Sequence, residues 1–439
     1  MVRLAPAFVA AAVLFPATSL PAQERAATSD EIARLVEQVN PKVVAWRRDI
    51  HANPELGNRE FRTAALVAEH LRGLDIEVRT EVAHTGVVGV LRGGRPGPTV
   101  ALRADMDALP VSEMVDLPFA SKVRTEYNGQ EVGVMHACGH DNHVAILMGA
   151  AEVLASMRET LPGTVVFLFQ PAEEGPPEGE DGGAGLMIRE GAFGDPRPEA
   201  IFGLHVWPSE VGTLSYRPRG AMAASDGLYI KIVGRQTHGA LPWGGVDPIV
   251  VASQVVIGLQ TIVSRQTDLT VAPAVVTLGS IRGGIRGNII PDSVVMVGTI
   301  RTFDDAVQAE IHDRIRRTAE GIAAASGAEA VVRITTGGAP VTYNDPDLTR
   351  WALPSLQRAA GAEAVSESLP ITGAEDFSLF QKEIPGLFFF LGGNPPGKTP
   401  VPNHSPLFFV DEGALPVGVR AMAELAVNYL MEHPRGVSQ

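Results

Sequence analysis

Two kinds of hydrophobic pattern alternate along the chain. Amphipathic stretches with a period near 3.6 predict helices, and short apolar runs bounded by Gly, Pro and Asp predict strands. Ser29 and Asp30 offer an N-cap before EIARLVEQV, Pro41 is expected to start a second helix through VVAWRRDIHANPEL, and EFRTAALVAEHLRGL predicts a third. IEVRTEV and GVVGVLRG read as short strands. PTVALRAD, GTVVFLFQ, AIFGLHVW and GLFFFLGG read as buried ones. VAILMGAAEVLASM, apolar all round, reads as a buried helix, as LTRWALPSLQRAAG and EGALPVGVRAMAELAVNYLMEH read as amphipathic ones. Strands and helices in this alternation predict an open α/β sheet.

The pattern changes after Met222. LYIKIVG, DPIVVASQVVIGLQTIVSRQ, PAVVTLGSIRG, SVVMVGTIRT, DAVQAEIHDRIRRTAEGIAAASG and AEAVVRITTG follow in the order βαββαβ, the split ferredoxin-like unit. It makes a complete layer of its own, so residues 223–337 are expected to form a domain inserted between residues 30–222 and 338–435.

Composition narrows the function. A chain of 439 residues can bury the core of two or three domains. A net charge of −14 argues against nucleic acid or an anionic membrane surface as partner, since neither would gain from basic contacts. Residues 1–23, with Arg3, a short apolar run and a small-residue end at Ala22, have the shape of a secretory signal, so export is expected. The single Cys, Cys138, excludes an internal disulfide, and a lone thiol in an exported chain is better explained as a metal ligand or reactive group.

Chemistry concentrates around that thiol. His136, Cys138, His140, Asp141 and His143 crowd into MHACGHDNH, a donor set suited to zinc-like divalent ions. On an extended backbone Cys138 and His140 would point to the same side. Asp105 and Asp107 follow one buried strand, Glu173 and Glu174 a second, His205 lies in a third, and His404 in a Pro-rich turn beyond a fourth. In an open α/β sheet, ligands collect beyond the carboxyl ends of the strands. Adjacent carboxylates such as Glu173 and Glu174 repel in a dry cleft unless a cation lies between them or one is protonated. One would then sit on a metal while the other takes a proton from water. His51 reads as a capping or packing residue. His238, Arg286 and Asn288 lie in Gly/Pro-rich loops of the inserted unit and could reach a neighbouring site.

Together MHACGHDNH, QPAEEG, GLHVWP, TGAEDFS and NHSP, in this order from about Ile32 to Tyr429, resemble the aminoacylase and carboxypeptidase family of dinuclear metallohydrolases. The similarity is to its amidohydrolase branch, which contains hippurate hydrolase and the plant auxin-conjugate hydrolases. The resemblance implies a catalytic domain with a mixed, largely parallel sheet flanked by helices, a ferredoxin-like lid or dimerisation domain, and two divalent ions (Zn, Mn, Co or Ni) between them. It makes Cys138, His140, Glu174, His205 and His404 the metal ligands, Glu173 the general base, and His238 an oxyanion donor, in some members supplied by a partner subunit. Asn288, and more weakly Arg286, would hold the substrate carboxylate. The wider family carries a His-x-Asp pair where this chain has Asp105 and Asp107; Cys138 takes over that ligand in the branch, leaving the two Asp to orient ligands. The implied reaction is hydrolysis of an N-acyl amino acid by a homo-oligomer. A di- or carboxypeptidase on the same centre, and a metal-bearing binding protein without turnover, are the alternatives.

Overall fold

The computed structural model describes residues 22–336 and 338–433, so the expected export segment, residues 1–23, lies outside it except for Ala22 and Gln23. The chain begins with helices α1 (Ala22–Ala52) and α2 (Phe61–Gly73), followed by strands β1 (Glu77–Val82), β2 (Gly86–Arg92) and β3 (Arg95–Asp105). A hairpin, β4 (Arg124–Tyr127) and β5 (Gln130–Gly133), leads to α3 (His140–Ser156), β6 (Pro162–Gln170), α4 (Gly183–Arg189), β7 (Ala200–Glu210) and β8 (Leu214–Tyr216). Next come β9 (Arg219–Met222), β10 (Ala224–Val233), β11 (Thr237–His238), α5 (Pro248–Thr261), β12 (Ala274–Gly283), β13 (Ile289–Ile290), β14 (Ser293–Thr302), α6 (Asp305–Ala325) and β15 (Glu329–Thr336). The chain finishes with β16 (Thr342–Asn344), α7 (Pro346–Ala360), β17 (Val365–Glu367), α8 (Phe377–Glu383), β18 (Gly386–Asn394) and α9 (Ala414–Glu432).

Eight strands form one mixed sheet in the order β1-β2-β6-β3-β7-β18-β8-β17, whose centre, β6-β3-β7-β18, is parallel. Its apolar runs follow from burial on both faces. β6 sends Val165, Phe167 and Phe169 into the core beneath α1, α2, α3, α7 and α9, and Val166 and Leu168 into a second core with Phe377 and Phe380 of α8. β18 repeats the alternation with Leu387, Phe389 and Leu391 against Phe388 and Phe390. The βαββαβ unit is as expected: β10, β12, β14 and β15 form an antiparallel sheet in the order β12-β14-β10-β15. Its helices start at Asp caps, Asp247 and Asp304 each accepting hydrogen bonds from two backbone amides.

One expectation changes and another is extended. Pro41 does not start a helix but lies inside α1. The apolar stripe Ile32, Val36, Val39, Val43 and Ile50 is buried on both sides of it, and that packing outweighs the roughly 3 kcal/mol that an interior Pro costs. His51 does pack, edge-to-face against Phe119 at 5.6 Å between ring centroids, but its two nitrogens are also spent on carboxylates. Its buried ring meets Asp141 at 2.8 Å through Nδ1 and Glu113 at 3.1 Å through Nε2, while Arg47 reaches Asp141 at 2.9 Å. Burial opposes the charge on His51, but Asp141 and Glu113 lift its pKa to about 9. Because that exceeds the unperturbed value of 6.5, the pair's contribution to stability is complete below 6.5 and disappears as pH rises through about 9. Urea midpoints should therefore fall across this alkaline window in the native chain, and His51→Gln should flatten the fall.

Candidate metal centre

The ligand candidates gather from strands, the loops after them and the turn that opens α3, where Cys138 and His140 lie. Asp105 is the last residue of β3, Glu173 and Glu174 follow β6, His205 stands within β7, and His404 lies in the loop after β18. The expected extended backbone from Cys138 to His140 is a sharp turn instead: Gly139 has φ 93° and α3 begins at His140. Only Gly fits there, because a Cβ would stand 2.3 Å from Val206 Cγ2. The His404 loop is docked on the same turn. His404 N–H donates to Ala137 O at 2.8 Å, and Asn403 Nδ2 donates to Cys138 O at 3.1 Å.

The hydrogen-bond partners decide which nitrogens are available. Val206 N–H donates to His143 Nε2 (2.8 Å), so His143 carries its proton on Nδ1 and gives it to Asp105 (2.5 Å). His143 therefore has no free lone pair, although it belongs to the crowded motif. His205 Nδ1 donates to its neighbour Val206 O at 2.7 Å, which leaves Nε2 facing Cys138 Sγ at 3.3 Å. His140 is held through Nδ1 by Asp107 at 3.2 Å, and its Nε2 is buried without a hydrogen-bond partner. Across the site, His404 Nε2 is 2.9 Å from Glu174 Oε1, an oxygen that has no aligned donor. Ligand atoms of Cys138, His140 and His205 lie within 4.8 Å of one another, as do those of Cys138, Glu174 and His404. Cys138 belongs to both sets. Asp105 and Asp107 bond the imidazoles of His143 and His140, and Asp107 also accepts from Glu174 N–H at 3.0 Å.

The field in this pocket favours cations. Asp105, Asp107, Glu173, Glu174, Glu375 and Asp376 converge there, and the balancing guanidinium is Arg103, which contacts Asp105 (2.5 Å), Glu375 (2.8 Å) and Asp376 (3.2 Å). Burial, followed by Glu375, Glu174, Asp376 and Asp105, drives the Glu173 carboxyl well above its ordinary range. Burial resists a charge on His140, yet Asp105, Asp107 and Glu174 push it up to about 10, so a proton sits where a cation is wanted. Burial and then Glu174, Glu173 and Asp105 hold the Cys138 thiol well above its usual value, and a thiolate there needs a positive neighbour. Buried orphan nitrogen, a thiol and facing carboxylates are a donor set that fits divalent transition ions. Arg103→Met, which leaves the buried carboxylates without their counter-charge, should cost about 3–5 kcal/mol in denaturant unfolding.

The structure does not bring His238, Arg286 and Asn288 to this edge. They gather on two adjoining exposed loops of the βαββαβ unit, where His238 pairs with Ile289 across β11 and β13 and Gly239 N–H donates to Asn288 O at 2.8 Å. Among the described residues none of the three has a hydrogen bond or ion pair to the candidate ligands. Sequence reasoning passed over Arg103, although a charge inside the apolar run VALRAD, two residues before Asp105, was the signal for it. Asn403 opens the NHSP run but was given no role there.

Comparison with known proteins agrees with this geometry. Residues 101–428 match the model for peptidase family M20/M25/M40. The chain is 41% identical over 399 residues to thermostable carboxypeptidase 2 of Saccharolobus solfataricus, covering 90% of this chain and 97% of that one. It is 40% identical over 401 residues to IAA-amino acid hydrolase ILR1-like 2 of Arabidopsis thaliana, covering 90% and 87%. The crystal structure of Bacillus subtilis YXEP, described as a dinuclear metal binding peptidase, superposes with a TM-score of 0.74 at 36% identity over 90% of this chain and 99% of that one. With its fold, its ordered motifs and its converging donors in agreement, the chain belongs to peptidase family M20/M25/M40.

Proposed function

We propose that this protein is a metal-dependent amidohydrolase that cleaves N-acyl amino acids to a carboxylate and a free amino acid, using two divalent ions held by Cys138, His140, Glu174, His205 and His404. The observation that carries this reading is the pair of donor sets sharing Cys138, with the Glu173 carboxylate 4.0 Å from the orphaned His140 Nε2. Bound ions would polarise the amide carbonyl, acidify a water and offset the negative field around Glu173. Glu173 then accepts the water proton on its carboxylate and passes it to the departing amine. Asp107, through His140, keeps that ligand in register, and Asp105 fixes Arg103 and His143 beside it.

The remaining roles fall to the βαββαβ unit, taken as a lid over residues 223–337. His238 donates to the developing oxyanion when the lid closes or from a partner subunit, and Asn288 and Arg286 hold the substrate carboxylate. Self-association through the lid is supported by its outer face. β12 is an edge strand with Ile281 exposed, and α5 turns Val251, Val255 and Leu259 into the core while leaving Ile249, Val250 and Ile257 exposed. That double-sided apolarity also makes Pro248–Gln266 long and apolar enough to cross a membrane by composition.

The similarity to a carboxypeptidase keeps the peptidase reading in view, and one assay separates the two. Hydrolysis of N-acyl amino acids in preference to free dipeptides, abolished by chelator and restored by divalent ions, is expected. Preference for free dipeptides favours the peptidase, and activity indifferent to chelator contradicts the metal centre.

A further inference from the structure

The loop after α1 lies against the turn that carries Glu173, and one buried carboxyl joins the two. Glu60 precedes α2 and is fully buried, yet its side chain caps no amide of that helix. Glu55 does so instead, accepting from the Arg62 and Thr63 amides at 2.9 and 2.8 Å. Glu60 is thereby free to turn inward, where Oε1 accepts from Ala172 N–H at 2.9 Å and Oε2 faces the Thr85 hydroxyl. Gly57 lets the loop approach this closely, since a Cβ there would stand 2.8 Å from Gly175 O and 3.2 Å from Ala172 Cα. Ala172 immediately precedes Glu173 and is held at φ 51°, a left-handed conformation that a residue with a Cβ rarely adopts. On the other side of Glu173, Glu174 N–H donates to Asp107 at 3.0 Å. The amides flanking Glu173 are thus each pinned by a buried carboxyl from elsewhere in the chain.

We infer that Glu60 is a positioning residue for Glu173: it holds the Ala172 turn in its left-handed form and so fixes where the base carboxylate stands. The inference rests on the hydrolase reading above. Without Glu60, Ala172 can relax to an ordinary backbone conformation, which rotates the peptide leading into Glu173 while Asp107 still keeps Glu174 in place. A misplacement of about 1 Å at a reacting group costs about a hundredfold in rate. Burial, with Asp107 nearby, pushes the Glu60 carboxyl up to about 8, so near neutral pH it is largely protonated. A glutamine copies that state, with an acceptor for Ala172 N–H and a donor for Thr85.

The test compares native, Glu60→Ala and Glu60→Gln holoenzymes on an N-acyl amino acid. Glu60→Ala should lower kcat by about a hundredfold with little change in KM or in metal content, and Glu60→Gln should recover most of that loss. Because the effect runs through the base, adding Glu60→Ala to Glu173→Gln should cost less than about threefold more. If Glu60→Ala does not fold, Glu60→Asp, one methylene short of Ala172, serves in its place with a kcat about tenfold down. Hydrogen exchange of the Ala172 amide, read by mass spectrometry on the peptide spanning residues 170–175, needs no turnover. If Glu60→Ala releases that amide and Glu60→Gln protects it while the native holoenzyme hydrolyses no acyl amino acid, the clamp stands and the hydrolase reading fails. Native kcat in Glu60→Ala or Glu60→Asp, a full further loss in the Glu173→Gln background, loss of metal along with activity, or unchanged protection of Ala172 overturns the assignment.

Discussion

Glu173→Gln is expected to lower kcat by roughly three orders of magnitude while the bound metal stays in place. The substitution keeps the shape of the side chain and removes only its ability to take and return a proton. Glu173 stands 4.0 Å from His140 Nε2 and is absent from both donor sets that share Cys138, so its charge can be deleted without deleting an assigned ligand. The loss should appear in kcat with little change in KM, because the step it serves lies after substrate binding. Turnover assays paired with elemental analysis read both halves. Near-native kcat would remove Glu173 as the base, and loss of metal along with activity would make it a ligand instead.

Cys138→Ala is the second large effect, and it acts through the metal. Sγ lies within reach of His205 on one side and of Glu174 with His404 on the other, so its removal weakens both sets together. Loss of an orienting partner behind a ligand typically costs ten- to a hundredfold in metal affinity, and loss of a shared ligand should exceed about a hundredfold. The variant should emerge from dialysis largely free of metal and inactive, with partial recovery at high metal concentration. Full metal content in Cys138→Ala would exclude the thiol as a ligand. Oxidation of Cys138 should have the same sign, because a sulfonate replaces the thiolate poorly.

How much of this was legible beforehand depended on the range of the forces involved. The central strands announced themselves because burial on both faces requires unbroken apolar runs, and the residues just beyond them carried the donors as expected. The split βαββαβ order was readable for the same reason. The density of MHACGHDNH signalled a metal, but it could not choose among its histidines. That choice is made by Val206 N–H and Asp105, which occupy His143, and by Asp107, which leaves His140 Nε2 free. These partners are tens of residues away in sequence, and local spacing is blind to them. Pro41 was misjudged because helix propensity is local whereas the stripe through Val39 and Val43 is fixed by packing. The packing of His51 was readable but its ion pair was not, because its partner Asp141 lies 90 positions on. The resemblance named His238, Asn288 and Arg286 as site residues, but the chain places them on exposed segments of the βαββαβ unit.

The most direct measurement is anomalous diffraction above and below the absorption edge of whichever metal the purified protein carries. Two peaks per chain are predicted, each within bonding distance of Cys138, His140, Glu174, His205 or His404. No peak among these side chains, or ions bound elsewhere on the chain, would contradict the account.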